Sequence, residues 1–205
     1  MKLSFKKAAM FGLDARIALA IFGALSVISG AALYSAIQQA KVISTIAMMQ
    51  EFAKAYEQYI LDTGVGMPAN SSHAIDTSSQ NLVSNDANVS NWNGPYLPYS
   101  KTGSVSLSIN SNGILYGYFQ RAGIEDWDST TGAATLLDCD GTRVCHIWVT
   151  FRTDAHAEDL FKAMDEYVDG GDGFHKGKLR YSDATSSSIR YVKFLVGPSL
   201  RKTQN

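Results

Sequence analysis

Between Arg16 and Lys41 the chain carries no charged side chain. Residues 17–37 read IALAIFGALSVISGAALYSAI, an uncharged run broken only by Ser and Gly. As a helix at about 1.5 Å per residue, this run spans roughly 30 Å, the thickness of a bilayer's hydrocarbon core. A core helix of a soluble domain would present one polar face over that length, and this run has none. The segment therefore predicts a lipid-compatible helix. Lys2, Lys6, Lys7 and Arg16 precede it, a charge bias that keeps the N-terminal end cytoplasmic and sends the rest outward.

The whole-chain averages conceal this. Over 205 residues the formal net charge is −1, and the mean hydropathy is −0.08. Of 18 basic and 19 acidic residues, the first 50 positions hold only Lys2, Lys6, Lys7, Asp14, Arg16 and Lys41. The balance gives no electrostatic footprint for nucleic acid. Two cysteines are too few for a disulfide scaffold that replaces a core.

The helical pattern does not end with the apolar run. Val42, Ile46, Met49, Ala53, Tyr56 and Ile60 recur at spacings of three and four, one stripe of a helix that ends before Gly64. This continuity weighs against a cleaved secretory signal cut near Ala31, whose apolar core would be about 7–15 residues. Residues 64–90, rich in Ser, Asn and Gly, predict a long surface loop. Residues 91–99, NWNGPYLPY, predict an aromatic turn in which Trp92, Tyr96 and Tyr99 seal a core edge. Alternating residues 105–109, a turn at Asn112-Gly113 and a return over 114–120 predict a hairpin. Further strands are expected at 144–151, 178–182 and 188–196, with an amphipathic helix over 154–168 stopped by Gly170-Gly171. Helix first and sheet after indicates an α+β fold.

Residues 6–30, KKAAMFGLDARIALAIFGALSVISG, resemble the N-terminus of type IV pilin-like proteins. That family has a basic leader, a cut after a small residue, an acidic fifth mature residue and an apolar helix with a central Gly. A cut between Ala9 and Met10 brings Asp14 to the fifth position and Gly23 into register together. The family more often has Gly before the cut and Glu at the fifth position. The stretch from Trp92 to Leu97 resembles the W-x-G-P-Y-L segment of the major pseudopilin of type II secretion systems, in the same order after the long helix.

The resemblance implies a type IV pilin-like fold with three parts. Residues 1–9 would be a prepilin leader, and residues 10–40 a transmembrane and then filament-core helix. Residues 41–205 would hold the amphipathic half of the helix and an exported α+β domain. The implied partners are a prepilin peptidase, an inner-membrane assembly platform, the lipid bilayer before assembly, and sister copies in a homo-oligomeric helical filament. The implied location is the bacterial inner membrane, then a periplasmic or cell-surface filament. Asp14 would pair with the Met10 amine of a neighbour inside the helix bundle. Removal of Lys2, Lys6 and Lys7 would take the formal charge from −1 to −4.

In an exported domain, Cys139 and Cys145 are expected to form a small-loop disulfide. Zinc is the rival because His146 follows, but no C-x-x-C spacing accompanies it. Carboxylates cluster at Glu125, Asp126 and Asp128, and again in DEYVDGGDG, where Asp165, Asp169 and Asp172 are candidate calcium ligands. The spacing differs from an EF-hand, and an acidic helix end with a glycine turn is the alternative. His73, His146, His156 and His175 lie in dissimilar contexts, and no nucleophile or phosphate-binding motif occurs. The chain is expected not to be an enzyme. A signal-anchored domain that binds a ligand without polymerising is the competing function, and a secreted enzyme starting near Ala32 the third.

Overall fold

The computed structural model describes residues 6–69, 77–103, 105–125, 127, 144–154, 157–182 and 189–200. The chain divides into two compact units, Met1–Lys41 and Val42–Asn205. Helix α1 runs Lys6–Thr63. In its N-terminal part, every described side chain from 12 to 37 is exposed. The best 18-residue window there has a mean hydropathy of 2.1, long and apolar enough to cross a membrane. Leu19, Phe22 and Val27 stand 70%, 70% and 74% exposed.

From Val42 onward the same helix is one-sided. Val42, Ile46, Met49, Phe52, Ala53, Tyr56 and Tyr59 are buried, and Lys54, Glu57 and Gln58 are not. Gly64 stops the helix in a left-handed conformation (φ 72°), its N–H donating to the Ile60 carbonyl at 2.8 Å.

The second unit is an antiparallel six-stranded sheet in the order β1-β2-β3-β4-β6-β5. Its strands are β1 Ser100–Thr102, β2 Ser106–Ser111, β3 Ile114–Ala122, β4 His146–Asp154, β5 Leu179–Tyr181 and β6 Ile189–Pro198. Helix α2, Glu158–Asp169, lies between β4 and β5 in sequence. The expected α+β layout is present. The β2–β3 turn places Asn112 and Gly113 at φ 53° and 80°, the left-handed pair a tight hairpin needs.

Cross-strand register assigns Leu107, Gly117, Phe151, Val192 and Tyr181 to one face and Ser108, Tyr116, Arg152 and Tyr191 to the other. The first face meets α1, with Phe52 5.1 Å from Phe151 and Tyr56 5.4 Å from Phe119 between ring centroids. Phe161 and Met164 of α2 join the same core beside Tyr181.

Three expectations change. The stretch from 64 to 90 is more than a surface loop, because Met67, Thr77, Ser79, Asn81 and Leu82 are buried. Thr77 N–H donates to the Phe119 carbonyl, and Phe119 N–H donates to Ser79 Oγ. The segment thereby satisfies backbone groups of β3 that no strand pairs on that side. The second helix starts at Glu158, since Asp154 still pairs with Ile189 in the sheet. A short first strand, Ser100–Thr102, was not expected from its polar residues.

Candidate functional site

Helix α2 brings two of the acidic residues onto one side by their four-residue spacing. It ends at Gly170, left-handed at φ 71°, whose N–H reaches the Asp165 and Glu166 carbonyls. The chain then folds back through Gly171, Gly173 and Gly177, all at positive φ, before entering β5. This return places a ligand oxygen from each of Asp165, Asp169 and Asp172 within 4.8 Å of one another. Gly173 N–H donates to Asp165 Oδ2 at 3.2 Å, and Leu179 N–H to Asp169 Oδ2 at 2.7 Å. At Gly177 (φ 70°) a Cβ would stand 2.9 Å from Asp172 Oδ2 and closer still to the Asp169 carboxylate. Both carboxylates thus lie over bare backbone.

Asp165 is 3% exposed, and its Oδ1 is buried with no hydrogen-bond partner. Burial pushes its carboxyl above the usual range. Asp172, Asp169 and Glu166 push the same way, and the Gly173 N–H opposes them. No lysine or arginine makes an ion pair with the three carboxylates among the described residues. The group therefore holds excess negative charge and an orphaned buried acceptor, a combination that costs stability unless a cation compensates. Two oxygens on opposite sides of one calcium ion are about 4.6–5.2 Å apart, so the 4.8 Å cluster fits a shared hard cation.

The loop is anchored on its other side by a feature the sequence did not reveal. Arg180 is 2% exposed. Its guanidinium carbon lies 4.6 Å from the Trp127 ring and 4.7 Å from the Trp148 ring. Arg180 Nε donates to the Gly177 carbonyl at 3.1 Å, Nη1 to Glu125 O and Nη2 to Ile124 O, each at 2.7 Å. Trp127 N–H donates to the His175 carbonyl at 3.0 Å. An arginine alone between Leu179 and Tyr181 gives no sequence signal of this role.

The aromatic turn clasps the end of α1. Trp92 Nε1 donates to the Asn81 carbonyl at 2.6 Å. The Tyr96 hydroxyl donates to Asp62 Oδ2 and accepts from Asn93 N–H, each at 3.0 Å. An open cleft of about 500 Å³, lined in part by Lys54, Glu57, His146, Lys178 and Phe194, was also not foreseen.

Of the other predicted residues, Ala9 and Met10 lie on the backbone of α1. Asp14 is exposed on that helix. Cys145 is disulfide-bonded, and Cys139 lies outside the described residues, as do Asp126, Asp128, His73 and His156. No family model, curated protein or solved structure matches the chain.

Proposed function

We propose that the chain is a structural subunit of a type IV pilin-like filament, either a pilus or a type II secretion pseudopilus. A prepilin peptidase cuts it between Ala9 and Met10, an inner-membrane platform assembles it, and it adopts the family's fold. The observation that carries this reading is α1. One helix has an unburied apolar stretch preceded by a lone carboxylate at Asp14, and then a one-sided stretch docked on a sheet. Such a helix leaves lipid only for an equally apolar environment, which sister helices provide. Asp14 then pairs with the Met10 amine of a neighbour and sets the axial register. Losing one partner of a buried pair costs about 3–5 kcal/mol.

N-terminal sequencing of the native protein tests the processing, with Met10 as the expected first residue. Intact Met1 without polymer would support an anchored ligand-binding domain, and a start near Ala32 a secreted protein. Asp14→Ala is expected to insert in the membrane and give no filaments. Wild-type filament yield from that variant would overturn the assembly role.

A second reading concerns the acidic loop. Asp165, Asp169 and Asp172 hold calcium, supported by the orphaned Asp165 Oδ1 and the 4.8 Å cluster. Calcium titration by calorimetry tests it. Absence of both heat and a melting shift would remove it.

A further inference from the structure

We propose that the acidic loop and the Trp127–Arg180–Trp148 stack are one coupled unit. In it, Arg180 positions the cation site, and cation binding fixes Ile124, Glu125 and Trp127 in place. The inference rests on the calcium reading above.

The argument follows the backbone of residues 173–179. On one side these residues hold the carboxylates, through Gly173 N–H to Asp165 and Leu179 N–H to Asp169. On the other side they hold Ile124, Glu125 and Trp127. The His175 carbonyl accepts from Trp127 N–H, and the Gly177 carbonyl accepts from Arg180 Nε. The same guanidinium spends two further donors on the Glu125 and Ile124 carbonyls. Gly177 is therefore pinned between the Asp169 and Asp172 carboxylates and Arg180.

The three carboxylates repel one another, and that repulsion opposes the loop's closed arrangement. A cation removes that repulsion and holds the loop against α2. The His175 and Gly177 carbonyls then become fixed acceptors for Trp127 and Arg180. By linkage, whatever the cation adds to the stack, the stack adds to cation affinity. Arginine suits the place because its planar fork reaches three carbonyls while stacking between two indoles. A lysine ammonium is a point charge without that fork.

Ile124 and Glu125, just before Trp127, have exposed side chains. Their coupling would make one patch of the domain surface calcium-dependent.

The test uses the full chain in detergent, labelled with 5-fluorotryptophan and titrated with calcium chloride. The chain's three tryptophans give separate fluorine signals. The Trp127 and Trp148 signals should move with calcium while Trp92, bound to Asn81 elsewhere in the fold, should not. Calorimetry is run in parallel on wild type, Arg180→Lys, Trp127→Phe and Lys162→Ala. Arg180→Lys should weaken calcium roughly 5- to 20-fold, within the ordinary range of coupling between sites. Trp127→Phe should weaken it less, and Lys162→Ala, whose partner is Glu158, should not. If Arg180→Lys does not fold, the wild-type fluorine shifts and Trp127→Phe decide the matter.

Calcium heat with motionless Trp127 and Trp148 signals, or with unchanged affinity in folded Arg180 and Trp127 variants, would overturn the coupling and leave the calcium reading intact. No calcium heat in wild type would overturn both.

Discussion

Gly117 measures how tightly α1 is seated on the sheet. It lies in β3 opposite Phe52 of α1, and a Cβ built there would stand 2.8 Å from Phe52 Cε1 and Cζ and from Ile109 Cδ1. Ordinary carbon–carbon contact is about 3.5–4.0 Å, so Gly117→Ala falls short by roughly 0.7–1.2 Å. Phe52 cannot swing away. It is fully buried, with the rings of Tyr99, Phe119 and Phe151 centred 5.3, 6.0 and 5.1 Å from its own. Overpacking of this kind costs about 1–3 kcal/mol. Alanine returns about 0.5–1 kcal/mol by restricting the unfolded chain.

The net expectation is a loss of about 1–2 kcal/mol, and a larger loss for Gly117→Val. Denaturant unfolding of the full chain in detergent, followed by far-UV circular dichroism, reads it. Gly197→Ala in β6, where a Cβ meets nothing within 4 Å, is the control and should be neutral or slightly stabilising. Combining Gly117→Ala with Phe52→Leu should cost less than the sum of the two single changes, because the smaller side chain frees the space. Gly117→Ala equal to or more stable than wild type would refute the close helix–sheet approach.

Two further predictions concern pH and charge. Burial raises the Tyr56 phenol to about 12, against the lowering influence of Arg121. The stability it contributes is complete below pH 10 and is lost as pH rises toward 12, about 2–3 kcal/mol in all. Tyrosinate absorbance should therefore lag until unfolding, and Tyr56→Phe should flatten the alkaline fall. Asp165 has a raised folded pKa, so its ionisation destabilises the calcium-free protein as pH climbs through that range. Asp165→Asn should raise the calcium-free melting temperature at pH 7 and abolish stabilisation by calcium, worth about 2.7 kcal/mol in wild type at a hundredfold excess over Kd. A lowered melting temperature in calcium-free buffer would contradict the account of that carboxylate.

Where side chains repeat at a structural period, the sequence was readable. The stripe from Val42 to Tyr56 is buried as its spacing requires, and the turns at Gly64, Asn112-Gly113 and Gly170 follow from positions that need positive φ. Position along the chain also placed Asp165, Asp169 and Asp172 together, because a helix end followed by glycines must turn back. What stayed hidden was burial decided by hydrogen bonding instead of apolarity. Thr77 and Ser79 read as surface, yet they are buried because they bond the Phe119 backbone of β3, and Asn81 is buried beside them by bonds to Ser78, Ala87 and Trp92. Arg180 reads as a solvated strand residue, yet it is buried because two tryptophans and two carbonyls distant in sequence converge on it, beside the nearby Gly177 carbonyl. No local pattern encodes a partner 55 residues away.

The two carboxylates on which the functional proposals turn pose one problem in different solvents. Asp14 stands at the head of a helix with no polar face, where ionisation is costly unless a cation comes to it. Asp165 stands in a protein core with one oxygen unsatisfied. Neither is compensated by an ion pair among the described residues of a single copy. A chain that needed only to fold would gain by replacing both with neutral residues. Their presence is explained if each partner arrives from outside, the amine of a sister copy for Asp14 and a divalent cation for Asp165. On that reasoning, in calcium-free buffer Asp14→Asn and Asp165→Asn should both leave the isolated subunit as stable as wild type or more so. The first should then fail in assembly and the second in calcium binding. A stability loss in either isolated subunit would mean that its compensation is internal after all.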